Sequence, residues 1–214
     1  MTGEPLAMVL LLVPRLARAV SWWPLGAAIA LAVLAQVSVL AAEPLDWAVL
    51  SGLWLAAGVL GAGAGFALPD PMASTVITPV SRWVRQWLRA GLALVPAVLV
   101  WALIYVGVRE AVRPEIVWPE GFVILQAAVC GLLPMAGAAV GARYRDTTTG
   151  AVVGPAVQGM LLVGSLFFSE RASPWVMPGP EGWAVAQQVW PIALVLVLIT
   201  FLLASRETKS PAGA

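Results

Sequence analysis

The chain has 214 residues, of which 61% are hydrophobic and only 11% are charged, and its mean hydropathy is +0.91. A soluble domain carries about 25% charged residues, because its surface has to meet water. The composition therefore excludes an ordinary soluble protein and predicts that most of the surface faces a lipid bilayer. The net charge of +1 excludes a strongly basic surface for nucleic acid.

The residue types that most enzymes and nucleotide-binding proteins need are scarce. There is no histidine, which is the usual general base and the commonest metal ligand. The one cysteine, Cys130, excludes an internal disulfide and is predicted to be a packing residue. No Gly-x-x-x-x-Gly-Lys-Ser/Thr phosphate loop occurs. We therefore expect no catalytic residue, no metal and no cofactor bound by this chain.

Residues 1–24 are predicted to form a cytoplasmic and interfacial segment. After Pro14 the side chains divide between two helical faces, with Arg15, Arg18 and Trp22 on one and Leu16, Val20 and Trp23 on the other. Such a helix can lie in the membrane interface with its arginines towards the headgroups. The alternative is a polar segment that simply leads into the first membrane span.

Residues 25–205 are predicted to form an all-α domain of six transmembrane helices, followed by a tail at 206–214. Each predicted span is a long stretch without charged residues, and a bilayer about 30 Å thick needs roughly 20 such residues. The predicted spans are Leu25–Ala42, Trp47–Leu68, Ala90–Val108, Gly121–Ala142, Thr149–Phe168 and Val189–Ser205.

The basic residues predict which side each loop occupies. Cytoplasmic loops carry the excess of lysine and arginine. With the N-terminus inside, the inner segments hold Arg15, Arg18, Arg82, Arg85, Arg89, Arg143, Arg145, Arg206 and Lys209, and the outer loops hold Arg109, Arg113 and Arg171. Both termini are therefore predicted to be cytoplasmic. Tryptophans at the span ends, among them Trp87 and Trp190, are predicted to form two interface belts.

No aspartate, glutamate, lysine, arginine or histidine lies inside a predicted span. Ion-coupled transporters usually need such groups within the membrane, so their absence argues against ion coupling. Gln126 and Gln158 are candidates for lining a substrate path, although glutamines more often join helices by hydrogen bonds. Three Gly-x-x-x-Gly pairs, which predict close helix packing, are Gly61/Gly65, Gly137/Gly141 and Gly150/Gly154.

Residues 69–89, between the second and third spans, form the segment most suggestive of a function. Asp70 and Pro71 are suited to begin a short helix, which Pro79 would end, and Ser81 can cap a second helix up to Arg89. This connection is longer than the 2–8 residues that most helix–helix links take. It is predicted to be a docking surface that involves Asp70, Pro71, Thr75, Ser81, Arg82, Arg85 and Arg89. A solvated basic linker is the alternative.

The interfacial segment Pro14–Trp23 and the loop Asp70–Arg89 together resemble the six-span permease subunits of bacterial ABC-2 type ATP-binding-cassette transporters. The stretches Leu68-Pro69-Asp70-Pro71 and Thr78-Pro79-Val80-Ser81-Arg82-Trp83 look like the coupling helix between spans two and three of those permeases. The resemblance implies a second permease chain, identical or different, and a bacterial cytoplasmic membrane location. It also implies a separate ATPase subunit that binds ATP and magnesium and docks under the loop. A second cytoplasmic contact would involve Arg143, Arg145 and Asp146.

Two other functions remain open at this point. A membrane scaffold or regulator that transports nothing would have the same composition, but its loop would tolerate substitution. An intramembrane enzyme would need a serine–base pair or paired carboxylates in the spans, and the sequence has neither there. The sequence does not identify a substrate or fix the direction of transport, although the resemblance favours export.

Overall fold

The computed structural model describes residues 13–41, 46–70, 82–112, 120–145, 147–165, 167, 175 and 183–206. All regular secondary structure in these residues is helical, so the predicted all-α class is confirmed. In chain order the helices are α1 (13–19), α2 (Trp23–Ala41), α3 (Asp46–Gly65), α4 (Arg82–Ala111), α5 (Glu120–Tyr144), α6 (Thr148–Ala151), α7 (Val153–Ser165) and α8 (Trp183–Ser205).

Five of the described helices, namely α2, α3, α4, α5 and α8, are long and apolar enough to cross a membrane. Six such helices were predicted, and the difference lies in the fifth predicted span, Thr149–Phe168. Its described part forms α6 and α7, with an interruption at Val152. Pro155 contributes to this interruption, because it has no N–H to donate to the Ala151 carbonyl and its ring crowds that oxygen. Helical bonding resumes one residue later, where the Ala156 amide donates to Val152 at 3.1 Å.

Helices α3 and α5 form the centre of the bundle. The apolar window of α3 is 72% buried and that of α5 is 61% buried, whereas that of α4 is 17% buried. The outer helices expose large apolar side chains, such as Leu103 on α4 and Met160 on α7. Exposed apolar surface on this scale belongs against lipid or a partner and not against water. Together with the five long helices, it indicates a membrane protein.

The glycine pairs are used for contacts within the chain. A Cβ atom on Gly141 would overlap the Gly150 carbonyl oxygen, and one on Gly137 would lie 2.9 Å from the Gly154 Cα. The α5 pair therefore packs directly against the pair at the start of α6 and α7. Likewise, a Cβ atom on Gly61 of α3 would overlap the Gly131 carbonyl oxygen of α5. These close approaches confirm the close packing predicted from the spacing.

Contacts between helix ends give the direction of each helix. Gly63 lies beside Leu25 and Gly52 lies beside Gln36, so α2 and α3 run in opposite directions. Three other contacts join helix ends on one side of the bundle. Arg89 of α4 contacts Pro69 after α3, Trp87 of α4 contacts Phe201 of α8, and Arg143 of α5 contacts Leu203 of α8. At this end α2 and α4 begin and α3, α5 and α8 end. We call it the arginine-rich end; its arginines include Arg85, Arg89, Arg143, Arg145 and Arg206.

Two helix boundaries differ from those predicted. Helix α4 begins at Arg82 and continues unbroken into the third predicted span, so there is no turn near Ala90. No proline or glycine lies between Arg82 and Ala90, and a change from charged to apolar residues does not interrupt backbone hydrogen bonding. Helix α8 begins at Trp183, six residues before the predicted start at Val189. Hydropathy locates the apolar part of a helix, and both helices extend beyond it.

The short helix α1 packs on the bundle. Leu16 and Val20 are buried, and Val20 belongs to the central apolar cluster, whereas Arg15 and Arg18 are exposed. This division follows the predicted apolar and basic faces. Trp23 departs from it, because Trp23 is the first residue of α2 and is exposed.

Candidate docking site at the arginine-rich end

Asp70 is positioned by the way that α3 ends. Turn hydrogen bonds follow the helix, from Phe66 to Gly63 and from Leu68 to Gly65, and the chain then leaves helical conformation at residues 69 and 70. On α4, Arg85 and Arg89 are four residues apart and therefore lie on one helical face. That face of α4 lies against Asp70, which follows the end of α3.

The carboxylate of Asp70 lies between the two guanidinium groups. Its Oδ2 is 3.7 Å from Arg85 Nη1, and its Oδ1 is 3.5 Å from Arg89 Nη1. Arg89 Nη1 also donates a hydrogen bond to the Pro69 carbonyl oxygen. The side chains of Arg89 and Asp70 are only 2% and 18% exposed. We call Asp70, Arg85 and Arg89 the clamp, since they join the ends of the chain that flank residues 71–81.

The clamp changes the interpretation of the predicted docking residues. Asp70, Arg85 and Arg89 come together, but they bind one another and Arg89 is buried. Arg82 is the first residue of α4, and its side chain is outside the described residues. The remaining predicted docking residues, Pro71, Thr75 and Ser81, also lie outside them.

Two tryptophans follow the clamp along α4. The Trp83 and Trp87 rings are 5.9 Å apart between centroids, and Trp87 packs edge-on against Phe201 of α8 at 5.1 Å. Both indoles are partly exposed, as expected of residues in an interface belt. Trp190 departs from the predicted belt, since it is buried in α8 and its partner Trp175 contacts Trp54 of α3.

The predicted second contact contains one residue that acts within the chain. Arg143 Nη1 donates a hydrogen bond of 2.6 Å to the Leu203 carbonyl oxygen, two residues before the end of α8 at Ser205. A cation at this position is also favoured by the negative end of the helix dipole. Arg143 therefore joins α5 to α8. Arg145 is exposed, and Asp146 is outside the described residues.

The two glutamines predicted to line a path are both inside the bundle. Gln126 on α5 is 2% exposed. Gln158 on α7 lies against α3, where a Cβ atom on Gly58 would overlap its amide nitrogen. Gln158 also lines a groove between α5, α7 and α8, whereas Gln126 does not. Of the two glutamines, Gln158 therefore borders this groove and Gln126 does not.

Neither metal chemistry nor relatives identify the protein. Among the described residues, no three histidine, cysteine, aspartate or glutamate side chains form a group that could hold a metal ion. No protein-family model, curated protein or solved structure matches the chain.

Sequence reasoning found the charged residues of the clamp but missed their pairing. Asp70 and Arg89 are separated by residues 71–81 and by about two turns of α4, and their register depends on how α3 and α4 pack. The sequence feature that could have indicated this pairing is one aspartate where the connection begins and two arginines, four residues apart, after it ends.

Proposed function

We propose that this chain is the permease subunit of an ATP-driven membrane transporter, with the connection at 71–81 docking a separate ATPase. The observation that carries the proposal is the clamp at the base of that connection. Asp70, Arg85 and Arg89 hold the end of α3 against the start of α4. A force applied to residues 71–81 would therefore act on both helices together. A connection that only joined two helices would need neither its length nor a buried ion pair.

We further propose that the chain crosses the membrane six times, with α6 and α7 together making the fifth crossing. The directions of the helices support this topology. Helices α5 and α8 both end at the arginine-rich end, so the chain has to return across the bundle between them. Residues 148–165 run antiparallel to α5 and span about 27 Å at 1.5 Å per residue. The excess of arginine supports a cytoplasmic location for the arginine-rich end and for both termini.

In this mechanism the chain supplies the membrane part and no catalytic residue. The ATPase subunit would bind ATP and magnesium, and a second permease chain would complete the substrate path. Contacts with the ATPase would come from residues 71–81, helped by exposed groups nearby such as Arg145 and Trp83. The clamp would transmit the movement to α3, which is central to the bundle, and to α4.

One observation favours a second function, a membrane scaffold that transports nothing. The described charged residues of the predicted docking loop bind within the chain, and so does Arg143. In a scaffold, these groups would hold the bundle together and residues 71–81 would tolerate substitution.

Purification of the tagged chain from its native membrane in a mild detergent separates the two functions. Mass spectrometry of the purified material should detect a stoichiometric protein that carries a Gly-x-x-x-x-Gly-Lys-Ser/Thr loop. A chain that purifies alone, or only with proteins that lack this loop, would contradict the transporter and favour the scaffold.

A further inference from the structure

Helix α1 presents two neighbouring arginines on the surface of the bundle. Leu16 and Val20 are buried and hold the helix against the other helices, whereas Arg15 and Arg18 are exposed. Residues three apart are neighbours on a helix, with about 5–6 Å between their Cβ atoms. Two guanidinium groups at that spacing can donate hydrogen bonds to the same phosphate group. Helix α1 therefore has the side chains for binding one anionic group.

Two exposed tryptophans indicate the depth of α1 in the membrane. Trp22 is 41% exposed and Trp23 is 82% exposed. Trp22 Nε1 donates a hydrogen bond of 2.7 Å to the Ala17 carbonyl oxygen, which holds the indole beside the turn of α1 that carries Arg18. Exposed indoles of membrane proteins concentrate at the level of the lipid headgroups. The arginines of α1 therefore lie at the depth of the lipid phosphates.

Arg15 and Arg18 differ from the clamp arginines in their partners. Arg85 and Arg89 both lie beside the Asp70 carboxylate. Among the described residues, no carboxylate forms an ion pair with Arg15 or Arg18. Within this part of the chain, the two positive charges of α1 are therefore not compensated, and an anion bound there would compensate them.

We propose that α1 binds an anionic phospholipid, with Arg15 and Arg18 on the phosphate of its headgroup. Guanidinium groups form charge-assisted hydrogen bonds to phosphate oxygens. A zwitterionic headgroup carries an ammonium group as well as a phosphate, so it is attracted less strongly by two cations than a headgroup of net negative charge is. The flanking indoles make a membrane lipid the source of the phosphate. This inference goes beyond the transporter proposal and stands whether or not an ATPase binds the chain.

Lipid binding can be measured by native mass spectrometry of the purified full chain in a non-ionic detergent. The probes are dioleoylphosphatidylglycerol, which is anionic, dioleoylphosphatidylcholine, which is zwitterionic, and glycerophosphoglycerol, which is the anionic headgroup without acyl chains. The phosphatidylglycerol should bind about tenfold more tightly than the phosphatidylcholine. This preference should fall as the salt concentration rises, because salt screens the charges. Equal binding of the two lipids, or binding of glycerophosphoglycerol as tight as that of the phosphatidylglycerol, would overturn the proposal.

Variants locate the binding site. Arg15→Gln and Arg18→Gln each remove one cation and should weaken phosphatidylglycerol binding about fivefold, with little change for phosphatidylcholine. Arg18→Lys keeps the charge and should retain most of the preference for the anionic lipid. Arg145→Gln is the matched control, because Arg145 is also exposed at the arginine-rich end but lies after α5, and this variant should bind as the unaltered chain does.

The substituted side chains are exposed, so Leu16 and Val20 should keep their packing, and a monodisperse elution profile checks that each variant folds. If Arg15→Gln does not fold, Arg18→Gln and Arg18→Lys still test the proposal. Wild-type affinity for phosphatidylglycerol in the Gln variants would place the lipid elsewhere and overturn the proposal. An equal loss in the Arg145→Gln control would show a general effect of charge and would also overturn it.

Discussion

The carboxylate of Asp70 faces two arginines, and one of these, Arg89, is almost completely buried. Burial makes the pair sensitive to the loss of either member, because an isolated buried charge is poorly solvated. The pair Arg109–Glu120 joins α4 to α5 and provides a contrast, since those two side chains are 50% and 52% exposed. Exposed pairs contribute little to stability. The contributions of a buried ion pair, Asp70–Arg89, and an exposed one, Arg109–Glu120, to stability can therefore be compared in the same protein.

Asp70→Asn should destabilise the protein by about 2 kcal/mol, since it removes the carboxylate charge beside the buried Arg89 guanidinium, which keeps its hydrogen bond to the Pro69 carbonyl. Thermal unfolding in detergent, followed by tryptophan fluorescence, measures the effect. Glu120→Gln is the control and should cost less than about 1 kcal/mol. Equal melting temperatures for the two variants would contradict the structural role assigned to the clamp.

Gly141→Ala should destabilise the contact between α5 and α6 by about 1–3 kcal/mol, because the added methyl group meets the Gly150 backbone. Gly159→Ala is the matched control, since a Cβ atom there has no neighbour within 4 Å. The control should be neutral or stabilising by up to about 1 kcal/mol, as alanine favours a helix over glycine. Thermal unfolding of both variants in the same detergent measures the difference in stability. If Gly159→Ala also destabilises the protein, the loss in Gly141→Ala does not come from its contact with Gly150.

At the scale of whole helices, α6 and α7 differ most from expectation. The helices α6 and α7 lie where hydropathy predicts one span, and the break at Val152 falls three residues before Pro155. Helix α8 contains Pro191 and α5 contains Pro134, yet both are continuous. A proline alone is therefore not enough for a break. In α6 and α7 the break coincides with the close glycine contacts to α5, where Gly150 approaches Gly141.

Pro155→Ala should join α6 and α7 into one helix across residues 148–165, because alanine supplies the missing N–H to Ala151. Hydrogen–deuterium exchange should then show stronger protection of the amides around Val152. Pro191→Ala, in a helix that is already continuous, should leave protection around Val152 unchanged. Unaltered protection in Pro155→Ala would mean that packing against α5 and not the proline breaks the helix.

Sequence reasoning located the apolar elements well and their ends less well. The predicted starts at Leu25, Trp47 and Gly121 lie within two residues of the starts of α2, α3 and α5. The starts of α4 and α8 were missed, because a run of apolar residues marks the membrane layer and a helix can extend beyond it. The break at Val152 was missed because prolines are well tolerated in membrane helices. The clamp was missed because tertiary packing sets the register between α3 and α4.

At the scale of the whole molecule, the two inner helices are coupled to the outer ones by apolar packing, by close glycine contacts and by a few polar ties at the arginine-rich end. Arg89 joins α4 to the end of α3, and Arg143 joins α5 to α8. Under the proposed function, an ATPase docked at this end would act on several helices through these ties. The claim on which this account depends is that residues 71–81 contact the ATPase.

The most direct test is site-specific photocrosslinking in the native membrane. A benzoylphenylalanine at Thr75, a predicted docking residue, should crosslink to a protein that carries a nucleotide-binding phosphate loop. The same group at Met160, an exposed position on α7, is the control and should crosslink to lipid or to another permease chain. The absence of an ATPase crosslink from Thr75, or equal ATPase crosslinking from both positions, would contradict docking at this connection.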